Sequence, residues 1–191
     1  MKNIPNILSV IRILLIIPFV VLIFDGYHTI AGIILLVSAL TDILDGVLAR
    51  QFNWVSDFGK ILDPAADKMT QVAVCIVLAI MKPQYIVFFA IMLIKELLMV
   101  IASGYLLKKG ASPAAAKWFG KAATVVFYFT MILMVIFPNI PATVEIILLG
   151  LTTALVVFAF VKYVIMFVKI NNASKIVGSK TTNLGANKEK V

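Results

Sequence analysis

The sequence predicts an all-α integral membrane protein with six transmembrane helices and with both termini in the cytoplasm. Three observations support this prediction: the excess of apolar residues, the spacing of the breaks between apolar runs, and the uneven distribution of positive charge. Hydrophobic residues occupy 62% of the 191 positions and charged residues 14%, and the mean hydropathy is +1.08. Soluble domains average roughly half apolar and a quarter charged residues, so the composition argues against a water-soluble fold.

The apolar residues form six runs, each about long enough to cross a bilayer. A helix rises 1.5 Å per residue, and a span needs about 20 mainly apolar residues. Each break between runs contains proline, glycine or a polar cluster, which interrupt helices. The predicted helices are residues 7–24, 29–50, 61–81, 84–107, 119–137 and 142–168. Residues 1–170 are thus predicted to form one membrane domain, and residues 171–191 a polar, loosely ordered cytoplasmic tail.

The positive charges set the predicted orientation. With the N-terminus in the cytoplasm, most lysines and arginines lie on or near that side, and only Lys82 falls clearly outside. Cytoplasmic loops are rich in Lys and Arg, so we predict a multi-pass protein of the cell membrane. The net charge of +8 is too scattered to suggest nucleic acid, and it fits cytoplasmic loops and anionic lipid instead.

One stretch, TDILDGVLARQFNWVSDFGKILDPAADK (residues 41–68), holds five of the nine carboxylates. Asp42 and Asp45 lie three residues apart near the end of the second predicted helix. Asp63 and Asp67 lie four residues apart near the start of the third. Each spacing puts its two side chains on one helix face. A short polar loop connects the two helices, so we expect both pairs to meet at the cytoplasmic boundary.

Carboxylates gathered in a poorly hydrated pocket predict bound cations. Repulsion and desolvation would protonate some of four such groups unless divalent ions neutralise them. Oxygen ligands favour Mg²⁺ or Mn²⁺ over zinc, and the only His and the only Cys lie far from the acids in sequence. Two such ions about 3.5–4 Å apart are typical of phosphoryl chemistry.

Small residues and an arginine accompany the acids. Gly46 and Gly59 leave room for a ligand against the backbone, and Arg50 can pair with a phosphate. Two alternatives remain at this point: a buried Asp that only makes structural hydrogen bonds, and a transporter, since intramembrane acids commonly mark ion pathways. Charge spacing alone leaves transport and catalysis nearly even. Gly46 and Arg50 favour catalysis, because ion coordination does not need them.

The full pattern is Asp42-x2-Asp45-Gly46-x2-Ala49-Arg50-x8-Gly59-x3-Asp63-x3-Asp67. It resembles, without a departure, the signature of the CDP-alcohol phosphotransferase family. The resemblance implies six spans and an enzyme that moves a phosphatidyl or similar group from a CDP-linked donor to an alcohol, with release of CMP. It also implies a requirement for two Mg²⁺ or Mn²⁺ ions and a homodimer.

The resemblance further implies roles for the four acids. Asp42, Asp45 and Asp63 would ligate the metal pair. Asp67 would complete the second metal site and act as the base toward the acceptor hydroxyl.

For the CDP donor, the resemblance implies contacts from Gly46, Arg50 and Gly59. Ser56 stands where related enzymes use a hydroxyl near the donor phosphates. Residues 5–12, PNILSVIR, are similar to the family's N-terminal segment, in which Asn6 would reach the cytosine or ribose. The alternative for this segment is an amphipathic start at the membrane interface.

The branch of the family is indicated by LDPAADK, residues 62–68, which resembles the bacterial phosphatidylglycerophosphate synthases. Their acceptor is sn-glycerol 3-phosphate. Two departures concern recognition of that acceptor's phosphate: Ala123 replaces a lysine of their GKxKT element, and Lys95 replaces the usual arginine before Glu96. The nearest alternative is a CDP-diacylglycerol-dependent cardiolipin synthase, whose acceptor is phosphatidylglycerol.

Four lysines are candidates for binding the acceptor: Lys68, Lys95, Lys117 and Lys121. Three of them have a simpler interpretation. Lys95 is equally compatible with a structural ion pair to Glu96, because unpaired charges within a span are expensive. Lys117 and Lys121 lie at a cytoplasmic helix entrance, where positive residues need no further role.

Overall fold

The computed structural model describes the backbone of residues 4–51, 59–108 and 118–188, and the side chains of residues 7–42, 62, 65–102, 104–105 and 118–168. Within that backbone there are six α-helices, one 3₁₀ turn and no strand, which confirms the all-α prediction. The helices are α1 (Ile4–Phe24), α2 (His28–Gln51), α3 (Gly59–Met81), α4 (Ile86–Lys108), α5 (Trp118–Ile136) and α6 (Ala142–Lys188). The 3₁₀ turn, Pro83–Tyr85, leads into α4.

The helix boundaries follow the predicted runs except at the C-terminal end. The first five helices agree with the prediction to within three residues at each end. The predicted last helix ended at residue 168, whereas α6 continues to Lys188. Extending an existing helix avoids the cost of nucleating a new one, and residues 171–188 contain no proline that would stop it. The assignment of residues 171–191 to a polar cytoplasmic tail stays a prediction.

Four helices are long and apolar enough to cross a membrane, counting only the part of the chain that the structure describes. The segments are Ile7–Phe24, Pro83–Ala102, Trp118–Ile136 and Ala142–Val168. In α2 the comparable apolar stretch is the shorter His28–Asp42. The chain is therefore a helical membrane protein with four clear candidate spans.

Helix α1 lies between α2 and α3, the two helices that carry the acidic positions. This helix packs against both α2 and α3, while α2 also contacts α5, α5 contacts α6, and α4 contacts α3 and α6. All six helices contribute to one hydrophobic core, which includes Phe19, Leu35, Leu78, Phe89, Met131 and Leu149. Large apolar side chains also cover the outer faces; Ile17, Val87 and Phe129 are at least 60% exposed. Such outward surfaces suit lipid tails, which are as apolar as leucine.

The connection between α1 and α2 is a tight turn that depends on Gly26. Its φ angle is 84°, in a region that glycine enters without steric cost. The amide of Gly26 donates to the carbonyl of Ile23 at 3.2 Å, and the amide of Tyr27 donates to that of Leu22 at 2.8 Å. These bonds cap the end of α1. Because α2 begins at once, the two helices become antiparallel neighbours.

A buried ion pair ties the opposite end of the bundle from the acids. Lys82, which follows α3, pairs with Glu145 in the first turn of α6. The ammonium of Lys82 also donates to the carbonyl oxygen of Pro138 at 3.0 Å. The two side chains are only 10% and 4% exposed, and an unpaired charge there would be costly. The pair therefore joins α3, α6 and the connection between α5 and α6.

Close packing of α2 on α5 gives a stability prediction. A Cβ added at Gly32 would lie 3.0 Å from Ile136 Cδ1 and would overlap Cγ1 of the same side chain. We expect Gly32→Ala to lower the free energy of unfolding by about 1–3 kcal/mol through overpacking. The measurement is thermal unfolding of the purified protein in detergent.

Gly104→Ala is the matched control, because nothing lies within 4 Å of a Cβ added at Gly104 in α4. Replacing a glycine inside a helix by alanine should leave stability unchanged or raise it by up to about 1 kcal/mol. Equal melting temperatures for the two variants would contradict the close contact between α2 and α5.

Candidate active site

The four acidic positions singled out from the sequence lie on α2 and α3. Their helical backbones place positions 42 and 45 one turn apart in α2, and positions 63 and 67 one turn apart in α3. The side chains of Asp45 and Asp63 fall outside the described part of the structure. The geometry of the site is therefore built from Asp42, Asp67 and their neighbours.

Asp42 is held by an arginine from α1. The guanidinium of Arg12 forms an ion pair and a hydrogen bond with Asp42 Oδ1. The Arg12 side chain is only 1% exposed, whereas that of Asp42 is 38% exposed. A buried guanidinium is tolerated in a membrane bundle when a carboxylate faces it. The pair joins α1 to α2 and leaves the carboxylate of Asp42 partly accessible.

Asp67 accepts a hydrogen bond on each of its carboxylate oxygens. The hydroxyl of Tyr128, on α5, donates to Oδ1 at 3.0 Å. The side-chain amide of Gln71, one turn further along α3, donates to Oδ2 at 2.9 Å. Lys68 Nζ lies 3.8 Å from Oδ2. The carboxylate is 17% exposed, so both donors satisfy a group that is largely removed from solvent.

The two described acids belong to one cluster. Asp42 and Asp67 are close enough for their charges to interact. Arg12 holds Asp42, while Gln71 and Tyr128 hold Asp67. These residues come from α1, α2, α3 and α5, so four helices meet at this point. We call Arg12, Asp42, Asp67, Gln71 and Tyr128 the acid cluster.

Beside the acid cluster, one glutamate of α4 is shared by two lysines. Lys68 Nζ lies 2.7 Å from Glu96 Oε2, and Lys95 pairs with Glu96 Oε1. Lys68 also donates to Gln71 Oε1 at 3.3 Å. Glu96 is only 8% exposed. The ion pair that the sequence allowed for Lys95 and Glu96 is thus present, and Lys68 extends it from α4 to α3.

The other predicted site residues are only partly described. Lys121 is exposed in the first turn of α5. Four predicted positions have a helical backbone but side chains outside the described set: Asn6, Gly46, Arg50 and Gly59. Ser56 and Lys117 lie outside the described residues altogether. The roles assigned to these six residues therefore stay predictions.

The donor chemistry of the acid cluster fits a hard divalent cation. Asp42 and Asp67 supply carboxylate oxygens, which Mg²⁺ and Mn²⁺ prefer. Cys75 lies in the hydrophobic core at 2% exposure, and His28 lies at the opposite end of α2 from Asp42. Among the described side chains no three His, Cys, Asp or Glu residues form a metal-binding group. Asp45 and Asp63 are the residues that would complete such a ligand set.

Sequence reasoning gave no role to Tyr128 or Gln71. Gln71 follows Asp67 by four residues, a spacing that brings an Asp and a Gln together on a helix, so this contact was open to prediction. A tyrosine within an apolar run indicates a buried hydroxyl that needs a partner. The identity of that partner, 61 positions away, depends on the fold. The same is true of Arg12, whose partner Asp42 lies on another helix.

Fold and site together define a class: a helical membrane protein in which several helices converge on a carboxylate cluster beside paired lysines. The chain belongs to the CDP-alcohol phosphatidyltransferase family, whose family model matches residues 2–173. The family resemblance predicted from the acidic signature is thereby confirmed.

Curated relatives agree with this assignment. The chain is 34% identical over 148 residues to the CDP-diacylglycerol–glycerol-3-phosphate 3-phosphatidyltransferase of Escherichia coli K12, covering 72% of this chain and 79% of that protein. It is 39% identical over 82 residues to the protein of that name from Rickettsia typhi, covering 41% and 46%. A cardiolipin synthase (CMP-forming) of Streptomyces coelicolor is 32% identical over 143 residues, covering 69% and 65%. Against the Rickettsia typhi protein, the chain thus spans under half of the relative's length.

The shared glutamate gives a second stability prediction. Glu96→Gln keeps the shape of the side chain but removes the charge that faces Lys68 and Lys95. Breaking a buried ion pair costs about 3–5 kcal/mol, and we expect the lower end because the Lys68 side chain is 35% exposed. Thermal unfolding in detergent measures the loss.

Asp25→Asn serves as the control for the glutamate variant. Asp25 is exposed in the turn between α1 and α2, where removal of a charge should change stability by less than about 0.5 kcal/mol. Equal melting temperatures for Glu96→Gln and Asp25→Asn would contradict a stabilising role for the ion pairs of Glu96 with Lys68 and Lys95.

Proposed function

We propose that the protein is a phosphatidyltransferase of phospholipid synthesis. It transfers the phosphatidyl group of CDP-diacylglycerol to sn-glycerol 3-phosphate and releases phosphatidylglycerophosphate and CMP. The observation that carries this proposal is the 34% identity, over 72% of this chain, to the Escherichia coli protein named CDP-diacylglycerol–glycerol-3-phosphate 3-phosphatidyltransferase. That aligned length, within a family match covering residues 2–173, supports a shared reaction beyond a shared fold.

The membrane arrangement that we propose has six spans, with both termini and the acid cluster on the cytoplasmic side. The four apolar helices account for four spans. The core packing of α2 and α3 with the other helices supports two more. The excess of Lys and Arg on the side of the termini supports the orientation. A homodimer, as the family resemblance implies, completes the proposed assembly.

In the proposed reaction, Asp67 takes the proton of the acceptor hydroxyl. The acceptor oxygen attacks the phosphorus that bears the diacylglycerol, in line with the bond to CMP, and CMP leaves with that bond's electron pair. Two Mg²⁺ or Mn²⁺ ions, held by Asp42, Asp45, Asp63 and Asp67, would supply neutralisation of the donor's charge. Gly46, Arg50 and Gly59 would contact the CDP moiety, with Ser56 and Asn6 as further contacts.

A phosphorylated acceptor is supported by the cations beside the acid cluster. Lys68 and Lys95 approach the same carboxylate from α3 and α4, and Lys68 Nζ is 3.8 Å from Asp67 Oδ2. A phosphate placed at these lysines would lie next to the proposed base. Lys117 and Lys121, at the entrance of α5, are the further candidates for this phosphate.

The second candidate function is a CMP-forming cardiolipin synthase. The Streptomyces coelicolor relative of that name, 32% identical over 69% of this chain, favours it specifically. The two functions share the donor and the release of CMP, so the acceptor separates them. A cation-coupled transporter, which charge spacing alone allowed, predicts ion flux without nucleotide turnover.

The deciding experiment gives purified protein CDP-diacylglycerol with Mg²⁺ or Mn²⁺ and one acceptor at a time. We expect CMP release with sn-glycerol 3-phosphate, and phosphatidylglycerophosphate as the lipid product. If cardiolipin forms from phosphatidylglycerol instead, the protein is a cardiolipin synthase and the first proposal is wrong. No CMP release with either acceptor, together with ion flux in liposomes, would overturn both.

The proposed base gives a mutational prediction. Asp67→Asn keeps the volume of the side chain but removes its ability to accept a proton, so turnover should fall by about 10²–10⁴-fold. Binding of CDP-diacylglycerol should persist, and it can be followed by equilibrium dialysis of labelled donor. Asp25→Asn, in the exposed turn, should keep full turnover. Normal turnover by Asp67→Asn would remove this residue as the base.

A further inference from the structure

We propose that Tyr128 and Gln71 are positioning residues that fix the carboxylate of Asp67 in one orientation. This inference rests on the proposed function, because it concerns the residue assigned as the base. It adds two residues, one of them from α5, that the acidic signature does not contain.

The contacts divide the two oxygens of Asp67 between the two donors. Tyr128 donates to Oδ1 at 3.0 Å and Gln71 donates to Oδ2 at 2.9 Å. An ionised carboxylate has about four acceptor sites, so two donors leave sites on both oxygens for a cation and for the acceptor hydroxyl. The same carboxylate can therefore be held firmly and still react.

Both donors are themselves held in place. Tyr128 is 7% exposed and Gln71 is 4% exposed. The ring of Tyr128 packs edge-on against Phe127, with centroids 5.6 Å apart. The amide oxygen of Gln71 accepts from Lys68 at 3.3 Å, which directs the amide nitrogen toward Asp67. The supporting groups are thus ordered before substrate binds.

Orientation matters because the carboxylate of an aspartate rotates easily. Its terminal torsion is broad and has no sharply defined wells, whereas proton transfer and in-line attack require fixed geometry. Loss of a partner that orients a reactive or metal-binding group typically costs about 10–100-fold in activity or metal affinity. A contact that merely joins α3 to α5 would affect folding and would leave the turnover of the folded protein intact.

The test compares the full-length wild type with Tyr128→Phe and Gln71→Leu, using CDP-diacylglycerol and the acceptor that the wild type accepts. Tyr128→Phe removes one hydroxyl and keeps the ring. For each variant we expect kcat to fall by about 10–100-fold, with the KM for CDP-diacylglycerol within about twofold of wild type because the donor-binding groups are untouched. Activities are normalised to the amount of folded protein, which is measured by thermal unfolding in detergent.

Tyr27→Phe is the matched control, because it removes the same hydroxyl from a residue 57% exposed in the turn after α1. It should keep the kcat of the wild type.

Several results would overturn the inference. These are an unchanged kcat in Tyr128→Phe, a loss confined to the KM for the donor, or a loss that disappears when activity is referred to folded protein. Where Tyr128→Phe does not fold, Gln71→Leu decides, and a wild-type kcat in that variant overturns the inference. If the wild type releases CMP and the variants keep its kcat, the inference fails but the proposed function stands. If the wild type releases no CMP with any acceptor, both the proposed function and this inference fail.

Discussion

The pairing of charged side chains inside an apolar bundle is the constraint on which the rest of the structure depends. Arg12 with Asp42 joins α1 to α2, Lys68 with Glu96 joins α3 to α4, and Lys82 with Glu145 joins α3 to α6. Apolar contacts between helices in lipid discriminate little between neighbours, since lipid tails are as apolar as the side chains. A charge that misses its partner is far more costly. Among the described side chains, these three pairs link separate helices of the bundle. Because α1 packs against both α2 and α3, Asp42 and Asp67 lie at the same end of the bundle.

Within the acid cluster, the two described carboxylates have different surroundings. Asp42 faces a buried guanidinium, so its charge is largely compensated by Arg12. Asp67 is held by the neutral donors Tyr128 and Gln71, with the ammonium of Lys68 further away at 3.8 Å. Neutral donors orient a carboxylate without cancelling its charge. This difference suits the separate roles proposed for the two residues, with Asp42 as a ligand and Asp67 as a ligand that also accepts a proton.

Much of the fold was predictable because helix length, helix-breaking residues and apolar runs are local properties. Gly26 marks the turn after α1, and Pro138 and Pro141 mark the connection before α6. The exception, α6 beyond residue 170, lacks such a stop, and polar composition alone did not end the helix. The acids of the site were also predictable, since the signature spans 26 consecutive residues. Their partners on other helices were not: Asp42 and Asp67 are contacted by residues 30 and 61 positions away. Those residues come close only because α1 packs against α2 and α3, and α5 packs against α2.

The contact of one ammonium with both Glu145 and the Pro138 carbonyl has a consequence for the far end of the molecule. Lys82 and Asp67 are fifteen residues apart, about 22 Å along a helix axis. Sliding α3 by a single residue, about 1.5 Å, would change the distances from Lys82 to both of its partners. The contacts of Lys82 therefore help to fix the axial position of α3 at one end of the bundle. Asp67, whose position depends on that register, lies near the other end. The contacts of Lys82 thus contribute to the height at which Asp67 meets Tyr128.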